Sequence, residues 1–182
     1  MEILDNILFV VGEYSYLIII ITTLALLYNK PTLYYYYIIG VIVNSILNIN
    51  LKLLIREPRP LPLKKANVNS NANNNVEFEK LTNFHIYGMP SGHSQFVFFS
   101  TMYVWLACKN IKTTLFYLCV SLITLYQRVK YNMHTIFQVI VGSIIGSLMG
   151  ALTFMLFKKK IVGGLNFKPD DNFKIAHIGA NL

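Results

Sequence analysis

The sequence predicts an all-α fold, a multi-pass transmembrane helix bundle of about five spans. Three observations carry that reading: the composition, the length of the apolar runs, and the confinement of polar clusters to one end of those runs. Hydrophobic residues make up 54% of the 182-residue chain and charged residues only 13%, with a mean hydropathy of +0.48. Soluble domains carry about 25% charged residues, so this chain has been built for lipid. Apolar runs fall at residues 7–28, 33–55, 93–108, 113–126 and 135–157, to be compared with the ~20 residues that a spanning helix needs. The third and fourth runs are short and need tilt or flanking residues to cross.

The first run is expected to remain as a span. Glu2 and Asp5 stand where a signal peptide would be basic, and no small-residue cleavage site follows. Residues 1–160 therefore read as one membrane-embedded domain. The long polar segment between the second and third runs contains an asparagine-rich stretch within residues 64–80, too poor in apolar residues to bury a core. Residues 161–182 read as a polar tail.

The formal net charge of +8 follows from lysines placed between apolar runs, and no basic helix or nucleic-acid motif accompanies it, so nucleic acid is not an expected partner. Cys108 and Cys119 have no metal-ligand spacing and read as small packing residues. Gly142, Gly146 and Gly150 recur every four residues in the fifth run, a pattern that lets a second helix approach closely. Packing inside the bundle is one use of that stripe, and a homodimer face the other.

Three clusters fall on one side of the bundle by alternation of spans. Lys52, Arg59 and Pro60 lie at the end of the second run, with Asn44, Asn48 and Lys52 forming one polar stripe. Pro58 should end the helix near Glu57. Tyr87-Gly-Met-Pro-Ser-Gly-His93-Ser-Gln95 opens the third run. Pro90, Ser91 and Gly92 make a turn into a helix N-terminus, where unpaired N–H groups favour an anion. Arg128 closes the fourth run and His134 opens the fifth, with Gln138 one turn beyond. The opposite side carries Lys30, Lys109, Lys112 and Lys158 to Lys160, so the positive-inside bias places that side in the cytoplasm. The clusters would then face the lumen or exterior, in a eukaryotic setting the lumen of the endoplasmic reticulum.

With these residues the chain resembles the phosphatidic acid phosphatase type 2 superfamily of membrane lipid phosphatases. Its patterns, Lys-x6-Arg-Pro, Pro-Ser-Gly-His and Ser-Arg-x5-His-x3-Asp, are matched by Lys52, Arg59 and Pro60, by Pro90 to His93, and by Arg128 and His134. Gln127 replaces the Ser and Gln138 the Asp. Glu57-Pro-Arg-Pro60, Tyr87-Gly-Met-Pro-Ser and His134-Thr-x-x-Gln138 resemble the dolichyl-diphosphatase branch, whereas Gly92 fits the wider superfamily better.

The resemblance implies an acid phosphatase/vanadium haloperoxidase-like core and hydrolysis of a polyprenyl (dolichyl) diphosphate to the monophosphate through a phosphohistidine. A phosphatidate-type monoester phosphatase and a catalytically silent lipid-binding protein of the same fold are the alternatives. On the first reading His134 is the nucleophile, His93 the general acid and base, and Gln138 the residue that orients His134. Lys52, Arg59, Ser91, Gly92 and Arg128 bind phosphate, with no metal and no cofactor expected. The expected partners are a lipid-linked phosphate or diphosphate and the membrane itself.

Overall fold

The computed structural model describes residues 2–60 and 84–157. The asparagine-rich stretch, most of the polar segment around it, the tail and Lys158 to Lys160 lie outside the described residues. Five α-helices follow one another: α1 (Glu2–Leu27), α2 (Pro31–Ile55), α3 (Gly92–Cys108), α4 (Ile111–Lys130) and α5 (Ile136–Phe157), with one 3₁₀ turn at Phe84–Ile86 before α3. There is no strand among the described residues.

The distribution of side chains is inverted relative to a water-soluble protein. Leu54, Leu148, Leu156 and Ile21 stand exposed, while Thr23, Asn44, Gln95, Ser100, Thr124, Gln127 and Gln138 are buried. Backbone-saturated helices with apolar exteriors and polar interiors are the arrangement a bilayer favours. Three of the helices, over Asp5–Leu27, Pro31–Ile55 and Ile136–Phe157, are long and apolar enough to cross a membrane. The five expected runs thus form five helices, three of which qualify as spans by length and composition alone. With 17 residues, α3 spans only about 26 Å, short of a ~30 Å hydrocarbon core. It sits instead in the middle of the bundle, in contact with all four other helices.

Glycine and hydroxyls explain how α3 is enclosed. A Cβ at Gly142 would lie 2.6 Å from the Ser91 carbonyl oxygen, and one at Gly146 or Gly150 would strike the carbonyls of Gln95 and Phe99. The stripe formed by Gly142, Gly146 and Gly150 is thus used inside the chain to seat α5 on the α3 backbone, the first of the two uses expected of it. Around α3, Tyr37 Oη meets Ser100 Oγ at 2.9 Å and Thr101 Oγ1 meets Ser121 Oγ at 2.9 Å, while Thr23 Oγ1 meets Tyr117 Oη at 2.8 Å between α1 and α4. Tyr37, Phe99, Tyr103 and Phe154 fill the end of the bundle remote from the clusters.

Candidate active site

The polar clusters meet at one end of the bundle because each helix there stops or starts for a local reason. Arg56 takes a left-handed conformation (φ 54°) and its N–H closes α2 on the Lys52 carbonyl at 2.9 Å. Pro58 then prevents continuation, and the chain pairs with the segment before α3: Pro58 bridges Tyr87, and Gly88 N–H donates to Glu57 O at 2.7 Å. Lys52 is buried and donates to the Tyr87 carbonyl at 2.8 Å, while Arg59 Nε donates to the His85 carbonyl at 3.0 Å.

Buried amides fix the start of α3. Gln95 Nε2 donates to Asn44 Oδ1 at 2.8 Å, Asn48 Nδ2 donates to Gln95 Oε1 at 2.8 Å, and the same Asn48 Nδ2 reaches the Pro90 carbonyl at 3.3 Å. Ser91 is the N-cap, with extended backbone and no side-chain cap bond to α3. The first N–H groups of that helix, at Gly92 and His93, therefore have no intrahelical acceptor. The N–H of Ser91 itself donates to the Gln138 carbonyl at 3.1 Å. That backbone bond ties α5 to α3. The His93 ring lies edge-on to Tyr16 of α1, with centroids 6.0 Å apart, and feels the charges of Arg128, Arg59 and Lys52.

Arg128 and His134 are joined through the backbone. After α4 ends, the N–H groups of Met133 and His134 both donate to the Arg128 carbonyl, at 3.0 and 3.2 Å. The six-residue separation is thus the length of one closed turn. Arg128 is buried, with Nη1 against Met133 Sδ at 2.9 Å and Nη2 paired with Glu13 Oε2 at 3.3 Å. Nη2 is held by that ion pair without a hydrogen bond, and Nε makes no hydrogen bond among the described residues, which is an unusual state for a buried guanidinium donor and leaves Nε available to an anion. Glu13 also accepts from Gln127 Nε2 at 3.2 Å, and Gly12 beside it gives Gln127 room to pack. The first helix, which bears no motif, thus contributes Glu13 and Tyr16 to the surroundings of the cluster.

The orientation of His134 can be worked out from its neighbours. Gln138 Nε2 faces two acceptors, Glu57 Oε1 at 2.7 Å and the Pro58 carbonyl at 2.9 Å. Its Oε1 faces the Thr135 N–H at 3.2 Å. Only one amide orientation satisfies all three. Oε1 must then accept from His134 Nδ1, 3.1 Å away, and the Gly88 carbonyl accepts from the same Nδ1 at 2.9 Å. His134 therefore carries its proton on Nδ1 and presents the lone pair of Nε2 toward Arg59, whose Nη1 is 3.5 Å distant. Burial, then Arg59 and Lys52, push the His134 pKa down to about 3, against the opposing effect of its bonds to Gln138 and Gly88. The free ring is thus neutral, with an unprotonated Nε2, at any pH well above that value.

Sequence reading missed Glu57 and Glu13 as parts of this cluster. It also missed that Thr135 and Gln138 form a capping box for α5, with Gln138 N–H donating to Thr135 Oγ1 at 3.1 Å. The Thr-x-x-Gln spacing was the available signal for the last.

The family model described as PAP2 superfamily matches residues 32–161, more than half of the chain. Lipid phosphate phosphatase gamma of Arabidopsis thaliana is 34% identical over 79 residues, covering 37% of this chain and 35% of that protein. Dolichyldiphosphatase of Saccharomyces cerevisiae is 30% identical over 127 residues, covering 64% of this chain and 48% of that protein. The chain thus matches about half or less of the length of these curated relatives. No solved structure matches.

Proposed function

The chain belongs to the PAP2 superfamily, and on that premise we propose that it is a membrane phosphatase that hydrolyses a polyprenyl, dolichyl-type diphosphate to the monophosphate. One observation carries the reading: a neutral, oriented His134 presents Nε2 to Arg59, with Lys52 and His93 near enough to interact with the ring. Nε2 attacks the terminal phosphorus, and the bond from that phosphorus to the bridging oxygen breaks, releasing the lipid monophosphate. A water then attacks the phosphohistidine, the P–N bond breaks, and inorganic phosphate leaves. His93 takes the proton of that water and in the first step supplies a proton to a leaving group that needs one. Lys52, Arg59 and Arg128 balance the phosphoryl charge, and the N–H groups of Gly92 and His93 hold one oxygen. Arg128 brings a buried Nε with no partner among the described residues.

The diphosphate is favoured over a monoester by Gln138 and the Glu57-Pro-Arg-Pro60 context, and by the larger share of this chain that the dolichyldiphosphatase match covers. A monoester phosphatase is the second reading, favoured by the likeness to a lipid phosphate phosphatase. Phosphate release by the purified protein from dolichyl diphosphate and from phosphatidate separates them. The expected result is a kcat/KM at least tenfold higher on the diphosphate, unchanged by EDTA because the three cations supply the charge. Loss of turnover in EDTA with recovery in Mg²⁺ would contradict this mechanism, and a preference for phosphatidate would select the second reading.

The site end of the bundle is assigned to the lumenal or exterior side, on the bias of Lys30, Lys109 and Lys112 to the opposite end. The chain holds no Asn-x-Ser/Thr sequence, so one inserted between residues 64 and 80 should become glycosylated in a glycosylating host. Glycosylation of one placed in the tail instead would reverse the orientation.

A further inference from the structure

The superfamily pattern puts a carboxylate where this chain has Gln138, and a glutamine cannot by itself supply the negative charge that would stabilise a cationic imidazole. The missing carboxylate is nevertheless close at hand. Glu57 Oε1 lies 2.7 Å from Gln138 Nε2, and Gln138 Oε1 lies 3.1 Å from His134 Nδ1. We propose that Glu57 is a positioning residue for His134, its charge acting through the Gln138 amide, so that Glu57 and Gln138 together take the place of one aspartate. This inference rests on the phosphatase reading and deepens it.

Several features built into the chain converge on this contact. The left-handed Arg56 turns Glu57 back from the end of α2. The Glu57 carbonyl accepts from Gly88 N–H, and the carbonyl of that same Gly88 accepts from His134 Nδ1. A Cβ at Gly88 would lie 2.6 Å from Gln138 Nε2, so a glycine is needed for the three segments to close on each other. All four hydrogen-bonding positions of the Gln138 side chain are filled, by His134, Thr135, Glu57 and Pro58.

The chemistry is electrostatic, with no proton passing through the amide. As Nε2 bonds to phosphorus the ring becomes cationic while keeping its Nδ1 proton. A carboxylate that accepts from one end of an amide polarises it, making the oxygen at the other end a better acceptor. The site therefore keeps a neutral group in contact with the resting His134 and sets the charge one residue further away. A carboxylate in direct contact would hold a proton on the imidazole and consume the free nucleophile over more of the pH range.

The test exchanges the two groups. Glu57→Gln, Gln138→Glu and the double variant E57Q/Q138E are compared with wild type for kcat, KM and the pH profile of kcat/KM on dolichyl diphosphate. Glu57→Gln keeps an acceptor for Gln138 and removes only charge, so kcat should fall about ten- to a hundredfold with KM changed far less. Gln138→Glu sets two carboxylates against each other and should fall at least as far. The double variant restores one amide and one carboxylate in reversed order. It should recover at least tenfold over Gln138→Glu, with the acid limb of its profile moved to higher pH because charge now touches His134. A purely structural role for Glu57 would give no such recovery.

A Glu57→Gln enzyme with wild-type kcat, or a double variant as slow as the product of the two single effects, would overturn the proposal while leaving the phosphatase reading intact. Absence of turnover in wild type would sink the phosphatase reading itself, and this inference with it.

Discussion

Replacing His134 by alanine should lower turnover on the order of 10⁴-fold or more, the scale of effect seen when a covalent nucleophile is removed. The cations around it have no lone pair to offer, the Gln138 amide is fully committed, and His93 is assigned to proton transfer. The substitution also strips the buried Gly88 carbonyl and Gln138 Oε1 of a donor, which costs about 1–3 kcal/mol of stability. His134→Asn separates the two effects. Its amide N–H₂ sits where Nδ1–H was and can still donate to Gly88 and Gln138, but it has no nucleophilic nitrogen. Steady-state rates and thermal melts of both variants should therefore show equal loss of turnover, with His134→Asn the more stable. An His134→Asn enzyme that keeps even a tenth of wild-type kcat would remove the nucleophile from that position.

Gly146→Leu should have the largest effect on the fold. The new Cβ would fall on the Gln95 carbonyl oxygen, a backbone atom that no rotamer change can move aside. Overpacking usually costs about 1–3 kcal/mol, and the rigid backbone contact here puts this case at or above the top of that range. The damage reaches the site as well. Gln95 anchors Asn44 and Asn48, Asn48 holds the Pro90 carbonyl, and Ser91 N–H holds α5 at Gln138. Pushing α5 off α3 should therefore lower activity in whatever folded fraction remains. Leu148→Val, on the lipid-facing side of α5 with 64% of its surface exposed, should melt close to wild type. A Gly146→Leu protein with wild-type melting temperature in detergent would show that α3 and α5 do not pack through this stripe.

The helices were legible because their signals are local. Apolar runs give α1, α2 and α5 directly, Pro58 marks the end of α2, and Pro90 to Gly92 mark the start of α3. The short third and fourth runs form α3 and α4, which do not qualify as spans by length and composition alone. A 17-residue helix surrounded by four others needs no lipid-facing side of its own, and its composition does not distinguish burial in protein from burial in lipid. The side assignment of Lys52, Arg59, His93, Arg128 and His134 was also legible, since alternation of spans alone brings them to one end.

What the sequence withheld were the long-range polar pairs. Glu57 meets Gln138 across 81 positions and Glu13 meets Gln127 across 114. Each is set by helix packing rather than by any spacing along the chain. The bond from the Ser91 N–H is of the same kind: its acceptor, the Gln138 carbonyl, comes from a different helix.

A phosphoenzyme trap reaches the nucleophile itself. Purified protein would be mixed with diphosphate lipid labelled in its terminal phosphoryl group, quenched in alkali within the first turnover, digested, and sequenced by mass spectrometry. The label should sit on His134, be stable to base and labile to acid, and be missing from His134→Asn. Steady phosphate release with no trapped label, or with the label on His93 or another residue, would contradict a reaction that passes through His134 Nε2.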